Sequence, residues 1–533
     1  MTARDDILAG RTSLGIELGS TRIKACLVGE DATTVLAVGA HDWESRLENG
    51  HWTYGLDDVE RGVQAAYAAV VADAHDRYGV RPETFGAIGV SAMMHGYLAF
   101  DANGELLVPF RTWRDTTTGV AAAELTALFG VNIPLRWSIA HLHQAVVDAE
   151  PHVPRIASLT TLAGHVHRRL TGESVLGVGD ASGMFPIDAA TGDYDERMLA
   201  AYDALADGRL PTTLRALLPA VLPAGAPAGA LTADGAAYLD PAGGLRPGVP
   251  LCPPEGDAGT GMVATNSVSP RTGNVSAGTS IFAMVVLERA LAEAHDEIDL
   301  VTTPAGDPVA MVHCNNGASE LAAWAALFVR FAEASHRPIE PDAAFEVLFR
   351  EAIEGEADAG GVVAFNHLAG EPIACLVEGR PLLVRLPGSS FTLANVMRAQ
   401  LYGVFGTLAL GMRVLHDEGV SLDRMFAHGG MFRTAGVAQR FLAAALGAPV
   451  AVGDLAAEGG AWGIAVLASY LRHAGERGLG EYLDAHVFAA ASLSVIEPEP
   501  EDVAGFAAYL DRYRAALAIE AAAVDSLNTR TPS

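Results

Sequence analysis

One short pattern occurs twice in this chain, at widely separated places. Ile16-Glu17-Leu18 runs into Gly19-Ser20-Thr21 and then into the apolar stretch Ile23 to Val28. Asn274-Val275-Ser276 runs into Ala277-Gly278-Thr279-Ser280 and then into Ile281 to Leu287. Each copy reads as a strand, a glycine–hydroxyl turn and a second strand. Two copies so far apart predict a duplicated fold with one such hairpin in each half. The 533 residues suffice for two large domains, and 50% hydrophobic residues supply two cores.

The elements around the first copy fix the fold class. A third strand signal over Val35–Trp43 makes an antiparallel meander. A helix is predicted over Val59–Tyr78, with Val63, Tyr67, Val70 and Val71 on one face, and a strand over Ala87–Ser91. This order is mixed α/β. Further helices are expected over Ser138–Ala149 and Thr161–Leu170, the second stopped by Gly172. In the second half Ser319 reads as an N-cap for Glu320–Ala334. A long helix is expected from Thr392 to Glu418, ended by Gly419. Others fit Val437–Leu446, Ala461–Arg472 and Asp502–Ala523. Residues 219–254, rich in Pro, Gly and Ala, have the composition of a linker.

Charge and cysteines exclude several classes. A net charge of -29 leaves no basic face to displace counterions from nucleic acid, and an anionic membrane would repel it. Cys26, Cys252, Cys314 and Cys375 lie far apart without a CxxC pair, which fits a reducing cytoplasm. The start of the chain shows no signal-peptide pattern, and no apolar run is long enough to span a bilayer.

Glycine–hydroxyl turns let backbone N–H groups approach phosphate oxygens, because no Cβ intrudes. Gly19, Ser20 and Thr21, with Lys24 adding charge, form one candidate; Gly278, Thr279 and Ser280 form the other. An ordinary tight hairpin is the commoner fate of either turn taken alone. Neither matches GxxxxGK[ST] or GxGxxG, so P-loop and dinucleotide readings, a dehydrogenase among them, find no foothold. Gly256-Asp257-Ala258-Gly259 follows a strand-like run. Phosphoryl transfer to an alcohol needs a carboxylate that orients the hydroxyl and takes its proton, and Asp257 suits. An Asx-turn or a helix N-cap is the structural alternative. Met94-His95-Gly96 follows a strand, and Trp113-Arg114-Asp115 offers an aromatic platform beside an ion-pairing Arg and Asp. Gly429-Gly430-Met431 could lie under a nucleotide base or ribose. The pairs His141/His143 and His165/His167 sit on helices, where i and i+2 face apart, so neither pair can share a metal.

Together these stretches resemble the FGGY carbohydrate kinase family, in order and over nearly the whole chain. Gly19-Ser20-Thr21 and Gly278-Thr279-Ser280 are similar to its two phosphate motifs, and Gly256-Asp257 to its catalytic-base motif. Met94-His95-Gly96 and Trp113-Arg114-Asp115 resemble its sugar-contacting stretches. Asp180-Ala181-Ser182 resembles its Asp-Ala-Ser segment. Gly429-Gly430 resembles its adenosine motif, with Met431 beside it, and Glu458-Gly459-Gly460-Ala461 the glycine-rich stretch that follows. The resemblance makes residues 219–254 a normal part of the N-terminal domain. It implies two actin-like domains of the ribonuclease H-like, actin/hexokinase/Hsp70 superfamily with a cleft between them, each with a mixed five-stranded sheet. Residues 1–268 would bind the sugar and residues 269–533 ATP. The implied activity is ATP- and Mg²⁺-dependent phosphorylation of a small ketose or polyol, a pentulose above others, with Asp257 as the base. The resemblance implies a cytoplasmic enzyme with a small-molecule sugar or polyol as partner, and leaves a homodimer open.

The sequence departs from the family at the metal-site position, where Glu17 replaces the usual Asp. Met93 stands where xylulokinase-like members carry Gln, so the implied sugar presents a less polar edge there and D-xylulose is the poorer substrate. Thr117 stands where many members have Arg. These departures keep a rival open: an actin-like ATPase or nucleotide-dependent regulatory protein without sugar kinase activity.

Overall fold

The computed structural model describes residues 2–453 and 459–527. The chain forms two compact units, interleaved in sequence. The first comprises Met1–Pro270, Asp299–Val309 and Leu455–Ala491; the second comprises Arg271–Ile298, Ala310–Asp454 and Ser492–Ser533.

The first unit is built on the meander β1 (Ser13–Leu18), β2 (Arg22–Val28) and β3 (Val35–Asp42), followed by α1 (Leu56–Tyr78) and β4 (Ala87–Ala92). A short strand, β5 (Glu255–Gly256), precedes α2 (Asp257–Ala264), and the sheet order is β5-β4-β1-β2-β3. The meander pairs are antiparallel; β4 runs parallel to β1, and β5 parallel to β4. Every residue of β1 and β4 is buried. The alternation of large apolar with small or polar residues along them therefore does not mark a solvent face: both faces of the sheet are covered. Two glycines allow that cover to approach. A Cβ on Gly15 would lie 2.1 Å from the carbonyl of Ala461, in the helix Gly459–Tyr470. One on Gly39 would lie 2.3 Å from the carbonyl of Ala66, in α1.

Residues 219–254 belong to this unit's fabric. Ala220–Leu222 pairs in parallel with Val175–Gly177, and Leu231, Val249 and Leu251 join the core.

The second unit repeats the central arrangement. β6 (Thr272–Ala277) pairs antiparallel with β7 (Ile281–Val286), and β8 (Arg424–His428) runs parallel to β6. β9 (Val450–Gly453) runs parallel to β8. β10 (Leu493–Ile496) adds antiparallel to β9, and the strand Pro308–Cys314 extends the sheet on the far side of β7, so it exceeds the expected five strands.

Among the helices of this unit, Ser319–Ala334 begins one residue earlier than expected. Ser319 is its first helical residue, not its cap, because the preceding Ala318 N–H is held by the carbonyl of Gly278. The helix Leu393–Asp417 agrees with its sequence signals: Thr392 caps it by accepting from the Asn395 N–H, and Gly419 follows its end with φ +73°. It is buried almost all round from Ala394 to Ala409, as a central helix of the unit.

Candidate active site

Because β1, β4 and β5 are parallel, their C-terminal ends lie at one edge of the first sheet, where open α/β sheets collect ligand-binding residues. Glu17 stands at the end of β1, Met94-His95-Gly96 just past β4, and Asp257 just past β5. The structure brings these together. The Met94 N–H donates to Asp257 Oδ1 at 3.1 Å. Gly256, not Asp257, is the N-cap of α2, so the aspartate's side chain is not spent on capping. Asp257 is accessible to solvent, yet the protein packed around its carboxyl raises the pKa, opposed by the N–H groups of Met94 and Ala258. Burial also raises that of Glu17; Lys24, whose Nζ lies 3.7 Å from Oε2, counters it, and the charge of Asp257 adds to it.

His95 and Gly96 are consecutive left-handed residues, with φ +71° and +98°. Glycine is needed at the second position, since a Cβ there would meet the Arg111 carbonyl and the Phe110 ring, each at 2.7 Å. The turn buries His95, whose ring stacks on Trp137. The same contact sets the chain after Gly96 beside Arg111, from which Trp113-Arg114-Asp115 follows.

Trp113 reaches the first turn: its indole N–H donates to Ser20 Oγ at 3.3 Å. The Arg114 guanidinium lies 3.9 Å from the centre of the Trp52 ring. Asp115 is buried, bonded to Thr117 and to the ring of His51. The turn Gly19-Ser20-Thr21 is braced through its carbonyls: Gly19 O accepts from the Trp43 indole at 2.7 Å, and Ser20 O from the Tyr54 hydroxyl at 2.6 Å. A groove of about 700 Å³ beside it is lined by Thr21, Lys24 and Trp43, among others.

Sequence reasoning passed over His51, Trp52 and Glu255. Glu255 is a fully buried carboxyl whose pKa burial pushes well up, with the nearby Asp180 adding to that. It accepts from the Asp180 N–H at 2.9 Å. Asp180 itself is raised to about 7, by burial first and by Asp257. Position before Gly256-Asp257 was the only signal for Glu255, and it does not show that two chain segments fold over it.

One expectation is overturned. Met93 does not present its side chain to a ligand; it is 2% exposed and packed in the apolar core of the first unit. Met93 therefore gives no reason to expect a sugar with a less polar edge. The paired histidines serve separate structural contacts: His143 bonds Glu124, and His167 bonds the Ala228 carbonyl.

In the second unit Gly278, Thr279 and Ser280 join β6 to β7. The carbonyls of Gly278 and Thr279 accept from the N–H groups of Ala318 (2.8 Å) and Gly317 (2.7 Å). Gly429, with φ +115°, lies against the end of β6, where a Cβ would be 2.2 Å from the Ala277 carbonyl. A Cβ on Gly430 would meet nothing within 4 Å, and one on Gly278 only the Ser280 carbonyl at 3.8 Å. Met431 is buried. Glu458 lies outside the described residues.

Family models settle the classification. Residues 12–264 match the N-terminal domain of the FGGY family of carbohydrate kinases, and residues 273–472 match its C-terminal domain. The chain belongs to the FGGY family of carbohydrate kinases. It is a sugar kinase, a phosphotransferase with an alcohol acceptor, in a family whose kinases use ATP. Among its FGGY relatives, the xylulose kinase of Escherichia coli K12 is 25% identical over 439 residues, covering 79% of this chain and 82% of the relative. The crystal structure of xylulose kinase from Rhodospirillum rubrum superposes with a TM-score of 0.76 at 23% identity, over 97% of this chain and 100% of that one. That of gluconate kinase from Lactobacillus acidophilus gives 0.75 at 15% identity, over 95% and 98%. These neighbours show the two-domain actin-like fold. Among the described residues, no helix is long and apolar enough to cross a membrane.

Proposed function

We propose that this kinase transfers the γ-phosphoryl group of ATP to a hydroxyl of a small ketose or polyol in the cytoplasm, with a pentulose as acceptor. The observation that carries the reading is Asp257: a solvent-accessible carboxylate at a strand end, beside the turn of Met94-His95-Gly96, with a pKa raised by the protein around it. The likeness to the E. coli xylulose kinase supports the pentulose. In this reading residues 1–268 hold the sugar through Met94, His95, Gly96, Trp113, Arg114 and Asp257. Residues 269–533 hold ATP through Gly278, Thr279, Ser280, Gly429, Gly430 and Met431, while Gly19, Ser20, Thr21 and Lys24 serve its phosphates.

Asp257 accepts the proton of the attacking hydroxyl as its oxygen bonds to phosphorus. The N–H groups of Met94 and Ala258 oppose the upward push on its pKa, and the Met94 N–H aims the carboxylate. Among the described residues no group of three or more His, Cys, Asp or Glu side chains forms a metal cage. Mg²⁺ does not need one, since it takes one or two carboxylates together with phosphates and waters. Glu17, close enough to Asp257 to feel its charge, fits that donor set and would hold the ion. Bound Mg²⁺ neutralises charge on the transferring phosphoryl group.

A coupled assay of ADP release against ketoses, polyols and sugar acids tests the function. Acceptor-dependent release with a pentulose in the lead is expected; release indifferent to every acceptor would favour a nucleotide-driven regulator instead. Asp257→Asn should lower kcat by about 10³-fold, as expected of a lost general base, with ATP affinity within a few-fold of wild type. A variant that keeps most of its turnover would remove Asp257 from that role.

A further inference from the structure

The carboxylate expected to meet the sugar is already occupied. Asp115 Oδ1 accepts from the N–H and the hydroxyl of Thr117 at 2.9 and 2.7 Å, and Oδ2 is bonded to Nδ1 of His51. The Asp115 side chain has 0% exposure, whereas that of His51 keeps 24%. Thr117 is exposed too, but its hydroxyl proton is spent on Asp115; of the carboxylate and the imidazole, the imidazole is the one that solvent or a ligand can reach.

The proton inventory then decides what that imidazole offers. Burial raises the Asp115 pKa, but Thr117 and His51 outweigh it and hold the group below the usual range. An ionised carboxylate only accepts, so Nδ1 of His51 must donate. In the neutral ring this leaves Nε2 as an acceptor. Among the described residues nothing bonds Nε2.

The ring is also held in place. His51 begins the short strand His51–Thr53, which pairs antiparallel with Arg46–Glu48. The neighbouring Trp52 accepts from the Thr112 N–H through its carbonyl at 3.1 Å and carries the Arg114 guanidinium over its ring. This hairpin is thereby fastened to the segment whose Trp113 bonds Ser20 and whose Arg111 bridges Tyr97, next to Met94-His95-Gly96.

We propose that His51 reads an acceptor hydroxyl by accepting its hydrogen bond at Nε2, with Asp115 as the positioning residue that fixes the ring. The inference rests on the sugar-kinase reading above and adds a specificity contact to it. A site that bonds a hydroxyl rejects the analogue lacking it when the bound sugar shuts water out, because the partner is then left unpaired. One hydroxyl of the acceptor should therefore be indispensable for recognition, although it is not the one phosphorylated.

The test measures kcat and KM for the leading acceptor of the screen and for its monodeoxy analogues, in wild type, His51→Asn and His51→Gln. Asparagine keeps a donor where Nδ1 stands and removes the outer nitrogen; glutamine restores a polar group at the outer position. His51→Asn should raise KM about tenfold with kcat and Tm close to wild type, the size of one lost hydrogen bond. One monodeoxy acceptor should be equally poor for wild type and His51→Asn, and His51→Gln should recover part of the loss. A wild-type KM in His51→Asn for every acceptor would reduce His51 to a tether of Asp115. Equal use of all monodeoxy acceptors by wild type would overturn the proposal whatever the variants do. If no acceptor is turned over, the functional reading falls and takes this one with it; if one is turned over without regard to His51, only this one falls.

Discussion

The two glycine–hydroxyl turns share a sequence signature and a sheet position but differ in what supports them. In the first unit, Leu18 pairs with Ile23 across the hairpin; in the second, Ala277 pairs with Ile281, one residue tighter. Aromatic side chains brace the first turn: Trp43, Tyr54 and Trp113 all donate to it. The second turn is braced by the backbone of Gly317 and Ala318 and closed over by Gly429. The surroundings differ as well. The first sheet edge gathers Glu17, Asp180, Glu255 and Asp257, all with pKa values raised by the protein around them. The second turn meets a loop of small residues. On the proposed reading, the same strand–turn–strand unit stands in two different chemical settings. Side chains and carboxylates suit an acceptor whose proton must be handled, whereas bare backbone suits close approach of phosphate.

The sharpest way to break this comparison is to add a side chain at the second turn. A Cβ meets nothing at Gly430 and only an ordinary contact with the Ser280 carbonyl, 3.8 Å, at Gly278, so folding should be preserved in Gly278→Val and Gly430→Val. If phosphate or adenosine fills that space, nucleotide affinity should fall about tenfold or more, a loss on the scale of about 1.4 kcal/mol or greater. Gly429→Ala should instead destabilise the unit, because its Cβ would strike the Ala277 carbonyl. Calorimetry and thermal melts on the three variants separate the cases. Wild-type nucleotide affinity in folded Gly278→Val and Gly430→Val would take the second turn out of the site.

Met93→Gln sharpens the first half of the comparison. An amide placed in that apolar core should destabilise by about 3 kcal/mol, through lost packing and an unpaired polar group. It should bring no gain on D-xylulose. An improved kcat/KM for D-xylulose at unchanged Tm would restore Met93 to the sugar site.

The smallest effect is a slope. With a folded-state pKa of about 7 against an ordinary 3.8, Asp180 keeps a proton that the unfolded chain has lost. Its contribution to stability is fully present below the ordinary value and is lost as pH rises through about 7. Asp180→Asn should remove that loss, so the variant gains on wild type between pH 5 and 7 by about 2 °C in Tm per pH unit. Parallel Tm–pH curves would show that Asp180 titrates normally.

Much of the fold was legible because its signals are local. The meander, the helices and the glycine turns announce themselves through runs of apolar residues, caps and stops within a few positions. Thr392 and Gly419 bound their helix as their types require, and both copies of the turn appear at the expected strand ends. The candidate residues Asp257 and Met94 were legible for the same reason, as polar or glycine-flanked stretches directly after strands.

What only the tertiary structure decided is which side chains meet across long separations. Glu255 lies under the backbone of Gly179 and Asp180, His51 is bonded to Asp115, and Met93 turns inward, and none of this follows from spacing. Local sequence determines where a strand ends and what types of residue follow it. The direction each one faces, and the proton or hydrogen bond left over for a ligand, depend on burial and on partners brought from elsewhere in the chain. Of the Trp113-Arg114-Asp115 stretch, sequence therefore named the residue types, and packing decided that Asp115 is buried against His51 while Trp113 stays exposed.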